Sequence, residues 1–164
     1  MEKINIDLNV REKKYFVSKY NDEVIDPELS TYITNYMIGN DIRKKVVINI
    51  KSNFELTSAE KDKYSEIIRK EFSENIDELN EESKKSNERK ALILLLGILF
   101  IMLSYLIDSS LGHIFSQVLT VFGWVALWEV AYAILFGDAK RRRTLMRYKQ
   151  LFNCDIVFEN NEGK

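Results

Sequence analysis

A single histidine, a single cysteine and a single proline occur in the chain, and each scarcity removes a class of chemistry. With His113 alone, and placed between two apolar runs, the polar parts of the chain contain no Ser-His-Asp or Cys-His arrangement and no histidine-rich metal site. Cys154 has no second thiol for an internal disulfide, and nothing near it in sequence would lower its pKa, so its alternating context reads as a small core residue. The six glycines, at positions 39, 97, 112, 123, 137 and 163, form no phosphate-cradling cluster and no dinucleotide or Walker-type motif. A basic stripe is missing too: residues 1–89 carry 16 Lys and Arg against 19 Asp and Glu. Nucleic acid is therefore not an expected partner, because no surface is available to displace counterions from phosphates. The acid pairs Asp22/Glu23 and Glu81/Glu82 lie in polar surroundings that would not raise a carboxyl pKa, so they read as solvated faces. No catalytic residue, cofactor site or metal site is expected, and the chain reads as a non-enzyme.

What is present is one long apolar stretch, 91–136, made of two segments, 91–107 and 114–136, joined by Asp108, Ser109, Ser110, Leu111, Gly112 and His113. A bilayer core of ~30 Å needs about 20 mostly apolar residues per helix, so the pair reads as a transmembrane hairpin. The first 20 residues alternate polar and apolar and contain no signal-peptide h-region, which makes the first span an internal signal-anchor. Positive charge flanks the hairpin on both outer sides, with Lys84, Lys85, Arg89 and Lys90 before it and Lys140, Arg141, Arg142, Arg143, Arg147 and Lys149 after it. The joining segment has none. By the positive-inside rule both termini are expected in the cytoplasm. Lys140 to Arg143 read as a topology signal that also meets lipid headgroups, each basic group adding ~1 kcal/mol near an anionic surface.

Around the hairpin the pattern is that of one small α/β domain. Ile4, Ile6, Leu8 and Val10 alternate with polar residues as a half-buried strand, and a second strand is expected over 15–20, paired with the first as an antiparallel hairpin. Asp26, Pro27 and Glu28 form a helix start, followed by Leu29, Tyr32, Ile33, Tyr36 and Met37 at helical spacing and by Gly39 as a left-handed stop. Residues 45–51 read as a third strand. Thr57 and Glu60 form a capping box for a second helix with an apolar face of Tyr64, Ile68, Phe72, Ile76 and Leu79. Residues 80–90 are all polar and read as a helical stalk. After the hairpin come a helix over 138–152 and a strand of Cys154, Ile156 and Phe158, which needs the N-terminal sheet as its partner. The expected fold is thus α/β, ββαβα…αβ. Its parts are a first cytoplasmic portion 1–79, the stalk 80–90, the hairpin 91–136, and a cytoplasmic helix and strand in 137–164 that complete the domain.

Glu129 is the outlier within the second span. Seven residues before Phe136, it lies ~10 Å from the end of that helix, and an acid at such depth is costly unless it faces protein or water. Ala126 and Ala133 beside it are small, and Gly97 on the first span is level with it, so these residues are expected to serve helix packing. The run Phe122, Gly123, Trp124, Val125, Ala126, Leu127, Trp128, Glu129, followed by basic residues, resembles a group of small uncharacterised bacterial two-span membrane proteins with a tryptophan and glutamate pattern in the second span. The resemblance covers the last third of the chain and implies a bacterial membrane protein, without carrying an activity. The expected function is that of a non-catalytic protein of the bacterial inner membrane, a self-associating module or a subunit of a membrane complex. The alternative is an oligomeric pore or membrane-perturbing effector, of the toxin or phage-defence type, gated by the cytoplasmic domain.

Overall fold

In a computed structural model, residues 3–108 and 113–160 are described. The joining residues Ser109, Ser110, Leu111 and Gly112, on which part of the outer-loop reading falls, lie outside them, as do the last four. The protein is mixed α/β, with a parallel three-stranded sheet and long helices. Its elements are β1 (Lys3–Val10), β2 (Val17–Ser18), β3 (Asn21–Ile25), α1 (Pro27–Tyr36), β4 (Lys45–Ser52), α2 (Ser58–Asp108), α3 (His113–Tyr132), α4 (Asp138–Phe152) and β5 (Asp155–Asn160). The chain forms two compact units, Met1–Glu78 with Arg143–Lys164, and Leu79–Arg142.

The first unit is built on β4, which lies between β1 and β5 and runs parallel to both. Register explains why. Ile4, Ile6 and Leu8 stand beside Val46, Ile48 and Ile50, and Ile156 and Phe158 beside Ile48 and Ile50, so one face of the sheet is a continuous apolar layer. Along β1 burial alternates without exception, the period of two that a one-sided strand requires. The opposite face is mostly polar: Asn49 Nδ2 donates to Asp7 Oδ1 at 2.9 Å, and Lys51 pairs with Glu159 at 3.9 Å. Parallel sheets are usually covered on both faces; this one turns a polar face outward.

The expected antiparallel pairing of β1 with 15–20 does not form. Residues Lys13–Tyr15 make a 3₁₀ turn, and only Val17–Ser18 is extended, paired antiparallel with β3 in a separate two-stranded sheet. The reason lies in the side chains. Val46, Ile48 and Ile50 offer β1 a full-length aliphatic match, whereas 15–20 interrupts its apolar residues with Ser18 and Lys19 and sends Phe16 into the core, stacked on Tyr64 at 4.3 Å.

Helix starts follow local chemistry. Asp26 Oδ1 accepts from the N–H groups of Glu28 and Leu29 at 2.9 and 3.3 Å, relieving two orphan donors of α1. Gly39 takes φ +91° after that helix, a conformation that costs other residues strain. Ile33 on α1 and Met37 just after it are buried, while Tyr32 and Tyr36 point outward against each other. At the start of α2 the capping box closes in both directions: Thr57 N–H donates to Glu60 Oε2 at 2.9 Å, and Glu60 N–H to Thr57 Oγ1 at 3.3 Å. Tyr64, Ile67, Ile68 and Phe72 are buried, and beyond them Ile76 and Leu79 are only half-buried.

The C-terminal segment is tied into this unit at several points. Phe72 meets Tyr148 at a ring separation of 6.3 Å, Arg69 donates to the Cys154 carbonyl at 3.4 Å, and Gln150 Nε2 donates to the carbonyls of Asp41, at 3.1 Å, and Lys44. Leu151 and Cys154 are buried.

Candidate functional site: the paired apolar helices

The second unit holds the residues that the sequence marks as unusual. Two helical stretches, Ser58–Ile107 and His113–Phe152, contain windows long and apolar enough to cross a membrane, with mean hydropathy 2.5 and 1.8. Only 11% of each window is buried in the protein. A core helix of a water-soluble domain would be mostly covered, so the outward apolar surface calls for another solvent or another surface.

Glycine sets how closely the two helices approach. A Cβ placed on Gly123 would lie 2.5 Å from Ile101 Cγ1 and 2.9 Å from the Gly97 carbonyl oxygen, closer than real contacts allow. One on Gly97 would lie 3.1 Å from Ala126 Cβ and 3.2 Å from the Gly123 oxygen. Small residues thus bring the two backbones together, the arrangement that favours helix association where the surroundings are as apolar as the side chains. Ser104, also buried, turns its hydroxyl to its own helix and donates to the Ile101 carbonyl at 2.7 Å.

Gly97 and Ala126 of the expected packing set therefore meet directly, with Gly123 the tighter partner that sequence spacing alone did not single out. Its signal was available: Gly97 and Gly123 are the mid-span glycines of the two segments. Ala133 is half-buried, in the short π-helical turn Ala133–Gly137 that separates α3 from α4. Glu129 is elsewhere. It lies on the exposed side of α3 with Trp124, Val125, Trp128 and Tyr132. In a bilayer an acid near a helix centre costs about 2.5–3.5 kcal/mol if left to lipid.

At the end of the π turn Asp138 receives Lys90, whose Nζ lies 2.5 and 2.6 Å from the two carboxylate oxygens with only 13% of the side chain exposed. Arg141 adds a longer contact at 4.0 Å. This ion pair closes the base of the two apolar helices. Sequence spacing missed it because the partners are 48 residues apart, although both sit at the polar ends of the apolar runs. Of the other basic residues here, Lys140, Arg142 and Arg143 are exposed, and Arg141 is half-buried.

In the first unit, a groove of about 470 Å³ beside β1 is lined by Asp7, Arg11, Tyr15, Asp26 and Tyr32, among others. Its two aspartates are already engaged, Asp7 by Asn49 and Asp26 by the helix cap. Burial pushes the Cys154 thiol up to about 11, away from the range of a reactive thiolate. Among the described residues no group of three or more His, Cys, Asp or Glu could hold a metal ion. No family model matches the chain, and no match is found among curated proteins or among solved structures.

Proposed function

We propose that the chain is a non-catalytic two-pass protein of the bacterial cytoplasmic membrane, with its α/β unit on the cytoplasmic side as a module for self-association or for a protein partner. The observation that carries this reading is the pair of apolar helices, close-packed through Gly97 and Gly123 yet uncovered on their outer surfaces. Lipid is the natural cover. The exposed Lys140, Arg142 and Arg143 at the end of the hairpin support placing that end at a cytoplasmic leaflet and its anionic headgroups. Residues 91–136 would then be a membrane insertion within the α/β unit, before its last helix and strand, with 80–90 as a helical stalk. A module role is supported by β1 and β5, the edge strands of the three-stranded sheet, to which no further strand is paired among the described residues.

The test has two parts. The full chain expressed in a bacterium should stay in the membrane pellet after alkaline carbonate washing, and reporters fused at either terminus should be active only in the cytoplasm. Release by carbonate would overturn the membrane assignment, and a periplasmic terminus the topology. Purification in mild detergent should return an oligomer or a complex. A bare monomer would count against the module. The exposed Glu129 favours one second reading, a conductive or membrane-perturbing oligomer. That reading requires expression to depolarise cells and Glu129→Gln to change the effect.

A further inference from the structure

We infer that the cations at the base of the apolar pair, Arg89 and Lys90 on α2 with Lys140, Arg141 and Arg142 on α4, form a collar that selects anionic phospholipids from the bilayer. The inference rests on the membrane reading above and names the partner of that end of the hairpin. Residues 88–90 and 138–142 together carry five Lys and Arg against two Asp and Glu. Asp138 is already shared: Lys90 Nζ lies 2.5 and 2.6 Å from its two oxygens, and Arg141 lies 4.0 Å from one of them. Glu88 is the other acid of these two segments, so a surplus of three positive charges remains. Crowded like charges repel one another, and a phosphate brought among them relieves that repulsion.

Depth fits lipid phosphate. At 1.5 Å per residue, positions 138–142 lie ~3–9 Å past Phe136, the last apolar residue, and positions 88–90 lie ~1.5–4.5 Å before Ala91, the first. The headgroup layer outside the hydrocarbon is about 5–7 Å thick on each side, so the collar lies in it or within reach of it along lysine and arginine side chains. The ring shape separates lipid from other anions. Asp138 meets Lys90 and so marks the side of α4 turned to α2. Steps of ~100° per residue from it put Lys140 on the far side of α4 and Arg141 and Arg142 on opposite flanks, while Arg89 is ~100° round α2 from Lys90. Arg89, Lys140 and Arg142 are exposed. An acidic protein or a nucleic acid would meet one of these sides. A leaflet meets all of them, and the same leaflet covers the apolar surface beside them, most of which is bare.

Tryptophan quenching by brominated lipids tests this. Trp124 and Trp128, the two tryptophans of the chain, are 65% and 74% exposed on α3, so lipid lying against the helix quenches them. In bilayers of mixed composition the full chain should prefer brominated phosphatidylglycerol to brominated phosphatidylcholine about fivefold, the ratio that one basic group near an anionic surface supplies. Arg89→Gln combined with Arg142→Gln should abolish the preference. Its quenching in pure brominated phosphatidylcholine should match wild type, which shows that the variant still folds and inserts. Lys63→Gln combined with Lys70→Gln, exposed positions earlier on α2 with the same loss of charge, should keep the preference, and concentrated sodium chloride should weaken it by screening. Equal quenching of wild type by the two lipids overturns the collar, as does a preference that survives in the Arg89 and Arg142 variant or disappears in the Lys63 and Lys70 variant. Sodium phosphate that removes the preference where sodium chloride of the same ionic strength does not would overturn the lipid assignment in favour of free phosphate. Absence of quenching by either lipid would instead refute the membrane reading itself, so the two failures are told apart.

Discussion

Glu60 illustrates how much one side chain can organise. It accepts from Thr57 at the start of α2 and pairs with Lys13 from the turn after β1. The Lys13 ammonium first, and then the Thr57 N–H and hydroxyl, hold its carboxyl well below the usual 4.5, at about 2. A carboxylate whose pKa is lowered by folding contributes stability that is complete above the unfolded value and is lost as pH falls through the folded one. Wild type and Glu60→Gln should therefore differ most in thermal unfolding midpoint near pH 6, and the difference should shrink between pH 4.5 and about 2. A difference independent of pH would assign the effect to packing alone. Gly123 makes the opposite kind of point, because there the essential feature is a missing side chain. Gly123→Val must push Ile101 and the Gly97 backbone away, at a cost of ~1–3 kcal/mol from overpacking. The detergent-solubilised variant should aggregate at a lower temperature than wild type, while Gly137→Ala, with open space around it, should match wild type.

At the scale of elements, the sequence disclosed what is local and left unstated what is long-range. The caps at Asp26 and Thr57, the left-handed Gly39 and the alternation of β1 are written in neighbouring residues, and each forms as its chemistry requires. Partner choice was not legible, because two strands with the same alternation pair equally well on paper. Only the length of the aliphatic row on β4 decides that β1 lies there and not against residues 15–20. The π turn at Ala133–Gly137 was hidden for a related reason: an apolar run carries no mark of one extra residue in a turn. In the candidate site, Gly97 and Ala126 were readable as small residues at one depth, whereas the outward direction of Glu129 depends on which face of α3 meets α2. β5 depends on the same long-range pairing. Without it Ile48 and Ile50 lose Ile156 and Phe158 beside them, so a chain ending at Asn153 should lose protease resistance in the first unit, whereas wild type resists.

For the whole molecule, the first unit consists of two stretches far apart in sequence, Met1–Glu78 and Arg143–Lys164. It follows that residues 1–78 alone should remain unfolded, and that joining them to 143–164 through a flexible Gly/Ser linker should yield a soluble domain with cooperative unfolding. Circular dichroism of the two proteins would check this, and a folded 1–78 fragment would contradict it. The position of β5 also sets a timetable. Strand β4 is synthesised about a hundred residues before the strand that covers its second edge, and at 5–20 residues per second that interval is roughly 5–20 s. For those seconds the nascent chain displays half a sheet with an open aliphatic strand, a template for wrong pairings. Translation must carry both apolar helices to completion before the ribosome releases the piece that ends the exposure, so a stall inside the apolar stretch leaves an unfinished sheet for chaperones or proteases to intercept.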